Sequence, residues 1–401
     1  MTSKTRVVVI GAGLAGVRLA QRLGELGVAA TLVGEEEHRP YNRVLLAEVL
    51  AGRYSPDVIA LPAPAGLVRA RVTGIDRAER TVRCADGTEI VYDTLVLATG
   101  SNSVLPPLRG LFTPDHELPD GVHAFRTLDD CLGLSKAVRP GVKAVVIGGG
   151  LLGVSAARAL AVRGAQVVLA QQAERLMERQ LDPNASALVH RHLTGLGVEV
   201  HTECRVRDVR CVGGAVRSVE MADGFALDAE LVVLACGVHP RVGLAKDAGL
   251  AVHKGVLVDD QLRTSDPRVH ALGDCAQHDG NLYGLAAPAL EQADVLAEVI
   301  AGKGTARYTG TRSLTRLTLA GLDLAAFGET VALPGDDVVQ LADATRGTYR
   351  KVVVRDDRLV GGVLVGELGT VGALARAWEG AEPLPTNGGP LLHLLTHDGG
   401  S

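Results

Sequence analysis

The sequence predicts an α/β fold: two similar βαβ units, one inserted in the other, with a small α+β module after them. Three observations predict it. Of 401 residues, 47% are hydrophobic, only 3% are aromatic and 49 are glycine, so the core must be Val, Leu and Ala beside many tight turns. A strand, a glycine turn, an Ala/Leu-rich helix ended by glycine and a second strand occur twice, as RVVVIGAGLAGVRLAQRLGELGVAATLVGEE (6–36) and KAVVIGGGLLGVSAARALAVRGAQVVLAQQ (143–172). From about residue 310 the texture changes to short strands. At roughly 100 to 200 residues per domain, the length suits two or three domains.

The first unit carries Gly11-x-Gly13-x-x-Gly16. Gly11 permits the tight turn, Gly13 lets a pyrophosphate approach the backbone, and Gly16 lets helix pack on strand. The helix opening at Leu14 and Ala15 then offers free N–H groups and a positive dipole end. Glu35 follows Gly16 by 19 residues, where a carboxylate can accept both hydrogen bonds of an adenosine ribose. Together these predict dinucleotide binding. Next, RVTGIDRAERTVRCADGTEIVYDTLVLATGS (71–101) alternates as strands around an Asp86-Gly87 turn and ends in a buried strand at Ala98-Thr99-Gly100.

The second unit carries Gly148-x-Gly150-x-x-Gly153, with Leu152 inside the turn, and its tail closes in the same manner at Ala235-Cys236-Gly237. This matching order predicts a second copy inserted in the first. Further on, VHALGDCAQH (269–278) ends a strand at Gly273-Asp274, where the carboxylate can hydrogen-bond the ribityl chain of a flavin or simply hold a turn. Beside Gly11 to Glu35 and the ATG strand end, flavin is the stronger reading. A helix near Pro288 follows, proline suiting a first helical position. Pointed at a flavin pyrimidine, its N-terminus would stabilise the charge that develops on reduction; Glu291 and Gln292 are equally readable as plain first-turn residues.

In the last module TYRKVVV and RLVGGVLVG flank Asp356-Asp357 as a hairpin, LTRLTLAG and LAAFGETVAL supply two more strands, and GTVGALARAWEG a helix. The Pro/Gly-rich tail from Pro383 to Ser401 reads as mobile. The expected domains are therefore 1–110 with 240–308 for the flavin dinucleotide, 111–239 for NAD(P), 309–382 for the C-terminal α+β module, and 383–401 for the tail.

Composition excludes several classes. A net charge of −5 without long runs of one sign gives no footprint for nucleic acid or an anionic membrane. The apolar N-terminal stretch is a first strand and helix, for no cleavage site follows it, and AVVIGGGLLGVSAARALAV is interrupted by Arg158. Cys84, Cys131, Cys204, Cys211, Cys236 and Cys275 never form C-x-x-C, which argues against a local metal or iron–sulfur site and suits a reducing cytoplasm; most read as buried small hydrophobes. No G-x-S-x-G is present, and HRH at 190–192 reads as the outer face of a helix.

PYNRVLLAEVL (40–50), LATGS, GGGLLG, LMERQLDP (176–183), TSDPRVHALGDCAQH, YGLAAP, LTLAGLDLAAFG and YRKVVVRDDRLVGGVLVG span nearly the whole chain. It resembles the pyridine-nucleotide-dependent flavoprotein reductases of glutathione-reductase-like, two-Rossmann fold, and within them the FAD/NAD(P)H module that opens the large subunit of assimilatory nitrite reductases. The resemblance implies FAD held by Gly11, Gly13, Gly16, Glu35, Arg43, Thr99, Gly100, Gly273 and Asp274, with Arg43 as a forked phosphate ligand. It implies NADH or NADPH at Gly148, Gly150, Leu152, Gly153, Gln171 and Gly237, and no catalytic side chain, since hydride transfer needs positioning above all.

Two departures matter: Ser155 stands where relatives carry a glutamate, and Gln171-Gln172 where they carry an acid for the coenzyme ribose. A neutral amide with Arg175 nearby leaves NADH and NADPH both open. Relatives that reduce disulfides or peroxide need cysteine on the PYNR segment, whereas none lies between Glu35 and Arg83, and Glu48 stands where a rubredoxin-reductase branch carries lysine. The family's large subunit continues into iron–sulfur and sirohaem modules whose cysteines are not in this sequence, so nitrite reduction by this chain alone is not expected. The expectation is electron delivery to a nitrate or nitrite reductase or a small iron–sulfur protein, by a monomer or homodimer. The alternatives are a rubredoxin or ferredoxin reductase for another system, and a low-turnover redox-sensing flavoprotein. The C-terminal module is expected either to cover the flavin or to form a dimer contact.

Overall fold

The computed structural model describes residues 5–62, 66–303, 305–319 and 321–380, together with Leu395. Apart from Leu395, the tail expected to be mobile lies outside them. The chain starts with β1 (Val7–Ile10), α1 (Leu14–Glu25), β2 (Ala30–Gly34), a 3₁₀ turn at Arg43–Leu45, α2 (Leu46–Leu50) and β3 (Leu67–Arg69). Strands β4 (Val72–Asp76), β5 (Thr81–Cys84) and β6 (Glu89–Val91) form an antiparallel meander, and β7 (Thr94–Leu97) returns to β1. The hairpin read at Asp86-Gly87 joins β5 to β6, with Gly87 at φ +85°.

After β8 (Ser101–Ser103) the second unit runs β9 (Val122–Ala124), α3 (Leu128–Ala137), β10 (Lys143–Ile147), α4 (Leu151–Val162), β11 (Gln166–Ala170), α5 (Pro183–Gly195) and β12 (Glu199–His201). Its own meander follows, β13 (Val206–Val212), β14 (Ala215–Met221) and β15 (Ala226–Asp228), and then β16 (Leu231–Leu234). The chain goes back through β17 (Val238–Pro240), α6 (Gly243–Asp247), β18 (Val256–Val258), β19 (Val269–Ala271), β20 (Ala276–His278) and α7 (Ala286–Ile300).

Two five-stranded parallel sheets result, in the orders β19-β7-β1-β2-β3 and β12-β11-β10-β16-β9. Strands buried on both faces read as continuous Val, Ile and Leu, which is the composition of β1 and β16 and of the carboxyl-terminal parts of β7 and β10. Strand β19 lies beside β7 with Ala271 opposite Leu97, so the first sheet is completed by residues that follow the second unit. The two crossings, β8 and β17, pair antiparallel with Asn102 opposite His239. Helices α1 and α7 pack together on the first sheet, where Arg18 donates to both oxygens of Asp294 at 2.7 and 3.0 Å.

The C-terminal sheet comprises β21 (Leu314–Leu319), β22 (Leu322–Gly328), β23 (Asp337–Asp343), β24 (Thr348–Arg355) and β25 (Arg358–Val365), in the order β21-β22-β25-β24-β23. The hairpin at Asp356-Asp357 is present, both residues having positive φ, and α8 (Val371–Gly380) covers one face through Trp378. The other face, with Leu319, Leu324, Tyr349 and Val363, shares a core with Leu176, Leu181, Val189 and α4 of the second unit.

Four expectations need correction. Strand β23 adds to the four strands expected of this module; as an edge strand with its side chains exposed or half-buried, it leaves little alternation in the sequence. Helix α7 starts at Ala286, so the buried Pro288 is its third residue. Cys84, Cys131 and Cys275 are buried, but Cys211 is exposed on β13 and Cys204 and Cys236 are half-buried. His190 and His192 are half-buried, because α5 sits between the sheet and the C-terminal module. Among the described residues no helix is long and apolar enough to cross a membrane.

Candidate functional site

Both glycine turns are built by the same contacts. A Cβ on Gly11 would stand 2.1 Å from the Ala98 carbonyl oxygen, and one on Gly16 would stand 2.0 Å from that of Gly11. In the second unit Gly148 meets Ala235 O at 2.4 Å and Gly153 meets Gly148 O at 1.7 Å. These four glycines are demanded by the protein's own backbone. The middle ones are not: a Cβ on Gly13 or Gly150 would touch nothing within 4 Å. Each is the N-cap of its helix in extended conformation with no side-chain cap, so the first N–H groups of α1 and α4 stay open for an anion. Leu14, Ala15, Leu151 and Leu152 supply those first turns and are half-buried.

The Gly11–Gly16 turn opens on a cavity of 630 Å³, within the usual size range of ligand sites. Gly11, Gly13, Glu35, Arg43, Thr99 and Gly100 all line it, at the carboxyl ends of β1, β2 and β7. Gly16 lies beneath, as does Gly273 at φ +73°, whose Cβ would be 3.2 Å from that of Ala15. Asp274 stands just behind the wall, accepting from the Ser101 hydroxyl at 2.8 Å and from Arg126 Nη2 at 2.6 Å. Gln292 accepts from the Gly273 N–H at 2.8 Å, which ties α7 to this turn. The lining residues come from 10–130 and 239–244, so among the described residues the C-terminal module contributes nothing to the cavity wall.

Charge in the cavity is paired. Glu35 accepts from Arg241, and that hydrogen bond holds its carboxyl below the usual carboxylate range. Arg43 pairs with Glu36, donates to the Arg126 carbonyl at 3.1 Å and lies 5.2 Å from the centre of the Tyr41 ring. Tyr41 donates to Glu36 at 2.6 Å and accepts from Leu128 N at 2.8 Å, and burial pushes its hydroxyl pKa well up. Arg43 therefore faces the cavity from a braced position, but with its charge shared with Glu36.

Sequence reading missed Arg126 and Arg241. Arg126 stands one residue before the Thr127/Asp130 capping box of α3, which fixes where it points. That box was legible as T-x-x-D. Arg241 is anchored by its backbone, accepting from the Thr99 hydroxyl at 2.8 Å and donating to Gly100 O at 2.9 Å. No local pattern signals it.

The second turn is arranged differently. Gln171 does not offer a free amide: its Oε1 accepts from Gly149 N at 2.7 Å. Ile10 pairs with Val33 and Ile147 with Ala170, so Gln171 corresponds to Gly34, and the exposed Gln172 corresponds to Glu35. The small residue has changed sides. A Cβ on Gly34 would collide with Ala12, whereas Gly149 is glycine because Leu176 and Gln171 fill that space. Ser155 is buried and donates to Leu151 O at 2.8 Å; Gly237 is exposed at φ +97°.

Near this turn Arg158, 1% exposed on α4, pairs with Glu48 of α2, and its Nε and Nη1 have no partner among the described residues. A separate cleft of 490 Å³ lies at the amino ends of β10, β11 and β12, opposite the glycine turn and hence away from the edge where open parallel sheets bind ligands. Among the described residues no group of three or more His, Cys, Asp or Glu is placed to hold a metal ion.

Comparison with known proteins adds to this geometry. Residues 5–293 match the model of pyridine nucleotide-disulphide oxidoreductases, and residues 314–379 that of the rubredoxin NAD+ reductase C-terminal domain. The chain is 34% identical over 377 residues to the assimilatory nitrate reductase electron transfer subunit of Bacillus subtilis (strain 168), covering 91% of this chain and 48% of that protein. It is 36% identical over 387 residues to the nitrite reductase [NAD(P)H] of the same organism, covering 91% and 46%. The chain thus spans about half the length of these curated relatives. Among solved structures, the covalent putidaredoxin reductase–putidaredoxin complex matches with a TM-score of 0.87 and 25% identity, over 98% of this chain and 99% of that one.

Proposed function

Because the chain belongs to the pyridine nucleotide-disulphide oxidoreductase family, we propose that it is an FAD-dependent NAD(P)H oxidoreductase delivering electrons to a separate redox protein. The acceptor we favour is a nitrate or nitrite reductase, or the iron–sulfur carrier serving it, as the named relatives suggest. The observation that carries the reading is the pair of glycine-capped helix starts, one of them opening on a 630 Å³ cavity with no cysteine in its lining. A disulfide reductase would need a thiol there.

The residues present fit FAD: open N–H groups beside Gly13 for a pyrophosphate, Glu35 for a ribose, and, behind the wall, Asp274 with the Ser101 and Arg126 that it holds for a ribityl chain. FAD, when bound, would take a hydride from the nicotinamide and pass its electrons on one or two at a time. The protein's part is positional. Gly11, Gly13, Gly16, Thr99, Gly100 and Gly273 shape the cradle, Arg43 and Arg126 set its charge, and Gly148, Gly150, Leu152, Gly153 and Gly237 seat the coenzyme, with Gln172 in place of Gln171 beside its ribose. Domain limits of 1–110 with 240–308, 111–239 and 309–382 belong to the same proposal.

A second acceptor class, a small ferredoxin or rubredoxin, is favoured by the match to putidaredoxin reductase and by the C-terminal module. Anaerobic titration of the purified yellow protein with NADH and NADPH, followed by candidate acceptors, separates them. The expected outcome is bleaching of the flavin by a coenzyme and reoxidation by the nitrate or nitrite reductase component. Reoxidation by a ferredoxin alone would move the assignment to the second class, and no bleaching by either coenzyme would overturn both.

A further inference from the structure

The turn between β11 and α5 is strained at a buried residue. Met177, 1% exposed, has φ +50°, in the left-handed region that non-glycine residues occupy only when their surroundings impose it. In that conformation its N–H donates to Gly149 O at 2.9 Å, while the Leu176 side chain fills the space opposite Gly149. The segment therefore grips the second glycine turn from beneath. Its own far end is fixed as well. Ser186 Oγ donates to Leu176 O at 2.9 Å, Leu181 N donates to Met177 O at 2.9 Å, and Asp182 caps α5 by accepting from Ala185 N at 3.0 Å.

What holds Asp182 comes from the C-terminal sheet. Its second oxygen accepts from Tyr349 Oη at 2.7 Å and from Lys351 Nζ at 3.0 Å, and Lys351 also donates to Thr330 O at 3.0 Å. Asp182 is 2% and Lys351 8% exposed. A buried ion pair is a poor way to gain stability but an effective way to select one arrangement. Here the start of α5 cannot rotate or slide without breaking the two bonds from Tyr349 and Lys351 to one carboxylate. In the first unit the corresponding space beside Gly34 is filled by the Ala12 methyl of the turn itself.

We propose that Asp182, Tyr349 and Lys351 are positioning residues for the second dinucleotide site, through which the C-terminal module braces the Gly148–Gly153 turn by way of Met177 and Leu176. The inference rests on reading that turn as the nicotinamide coenzyme site. Tyr349→Phe removes the bond to Asp182, with a longer contact to Gln340, at nearly constant shape; Lys351→Met removes the charge at nearly constant volume.

Both variants, as FAD-loaded full chains, are compared with the parent by hydrogen–deuterium exchange without coenzyme, and by NADH and NADPH kinetics with ferricyanide as acceptor. Exchange should quicken across 148–154 and stay unchanged across 11–17. KM should rise about ten-fold in Lys351→Met, the lower end of what removing a supporting shell costs, with kcat within about two-fold. Unchanged exchange and KM in both variants, or equal loosening of both turns, overturns the brace. If Lys351→Met does not fold, Tyr349→Phe decides. A parent that neither coenzyme reduces would sink the functional reading, and the exchange comparison would still decide whether the brace exists.

Discussion

At the scale of single residues, glycines within one motif have different employers. Gly16 is required by the backbone of Gly11, whereas a Cβ on Gly13 would meet no described atom within 4 Å, and its φ is an ordinary −80°. As apoproteins, Gly16→Ala should therefore lower the melting temperature while Gly13→Ala should melt like the parent, and Gly13→Ala should bind FAD about ten-fold more weakly or worse, because the methyl stands where a pyrophosphate approaches. Differential scanning fluorimetry and flavin content after gel filtration read the two effects, and equal melting losses would refute the division. The G-x-G-x-x-G spacing made both turns legible. The partner of Gly149 was not legible, because whether Gln171 faces the cleft or the turn depends on the Cβ that Gly149 lacks. Lys351 did leave a trace: in TYRKVVV it shares a strand face with Tyr349 and Val353, and a lysine on an inward face needs a carboxylate.

At the scale of elements, repeat boundaries were readable because strand, turn and helix each have their own period. Contacts between repeats were not, since they join residues over a hundred positions apart. The pair of half-buried Glu48 on α2 and buried Arg158 on α4 is the main case; the sequence showed Arg158 only as a charge interrupting an apolar run. Its two ends are unequal. Glu48 also holds Arg53 at 2.9 Å, whereas Arg158 has no other partner among the described residues. Glu48→Leu should cost about 3 kcal/mol in urea unfolding, Arg158→Met distinctly less, and the double variant should recover most of the loss. Additive losses in the double variant would show that the two side chains do not act as a pair.

At the scale of the whole molecule, two histidines, His270 buried and His123 half-buried, tie stability to pH. His123 lies on β9 and His270 on β19, the strands that flank each sheet at one end. Burial lowers the pKa of both from 6.5. Their contribution is complete above 6.5, where folded and unfolded chains are both neutral. It is lost as pH falls through the depressed folded values, because the unfolded chain takes up protons first. The urea midpoint should thus drop between pH 7.5 and 5.5, and His270→Leu should flatten that slope; an unchanged slope would exclude His270 as a source. The same strand β19 has a consequence for biogenesis. Residues 122–234 hold every strand of the second sheet, while the first lacks its last strand until Val269–Ala271 have been made. A nascent chain on the ribosome therefore carries a finished inner unit while β7 still offers a bare flank of unpaired amides. The hazard of aggregation during synthesis is concentrated there, and it ends when three residues arrive.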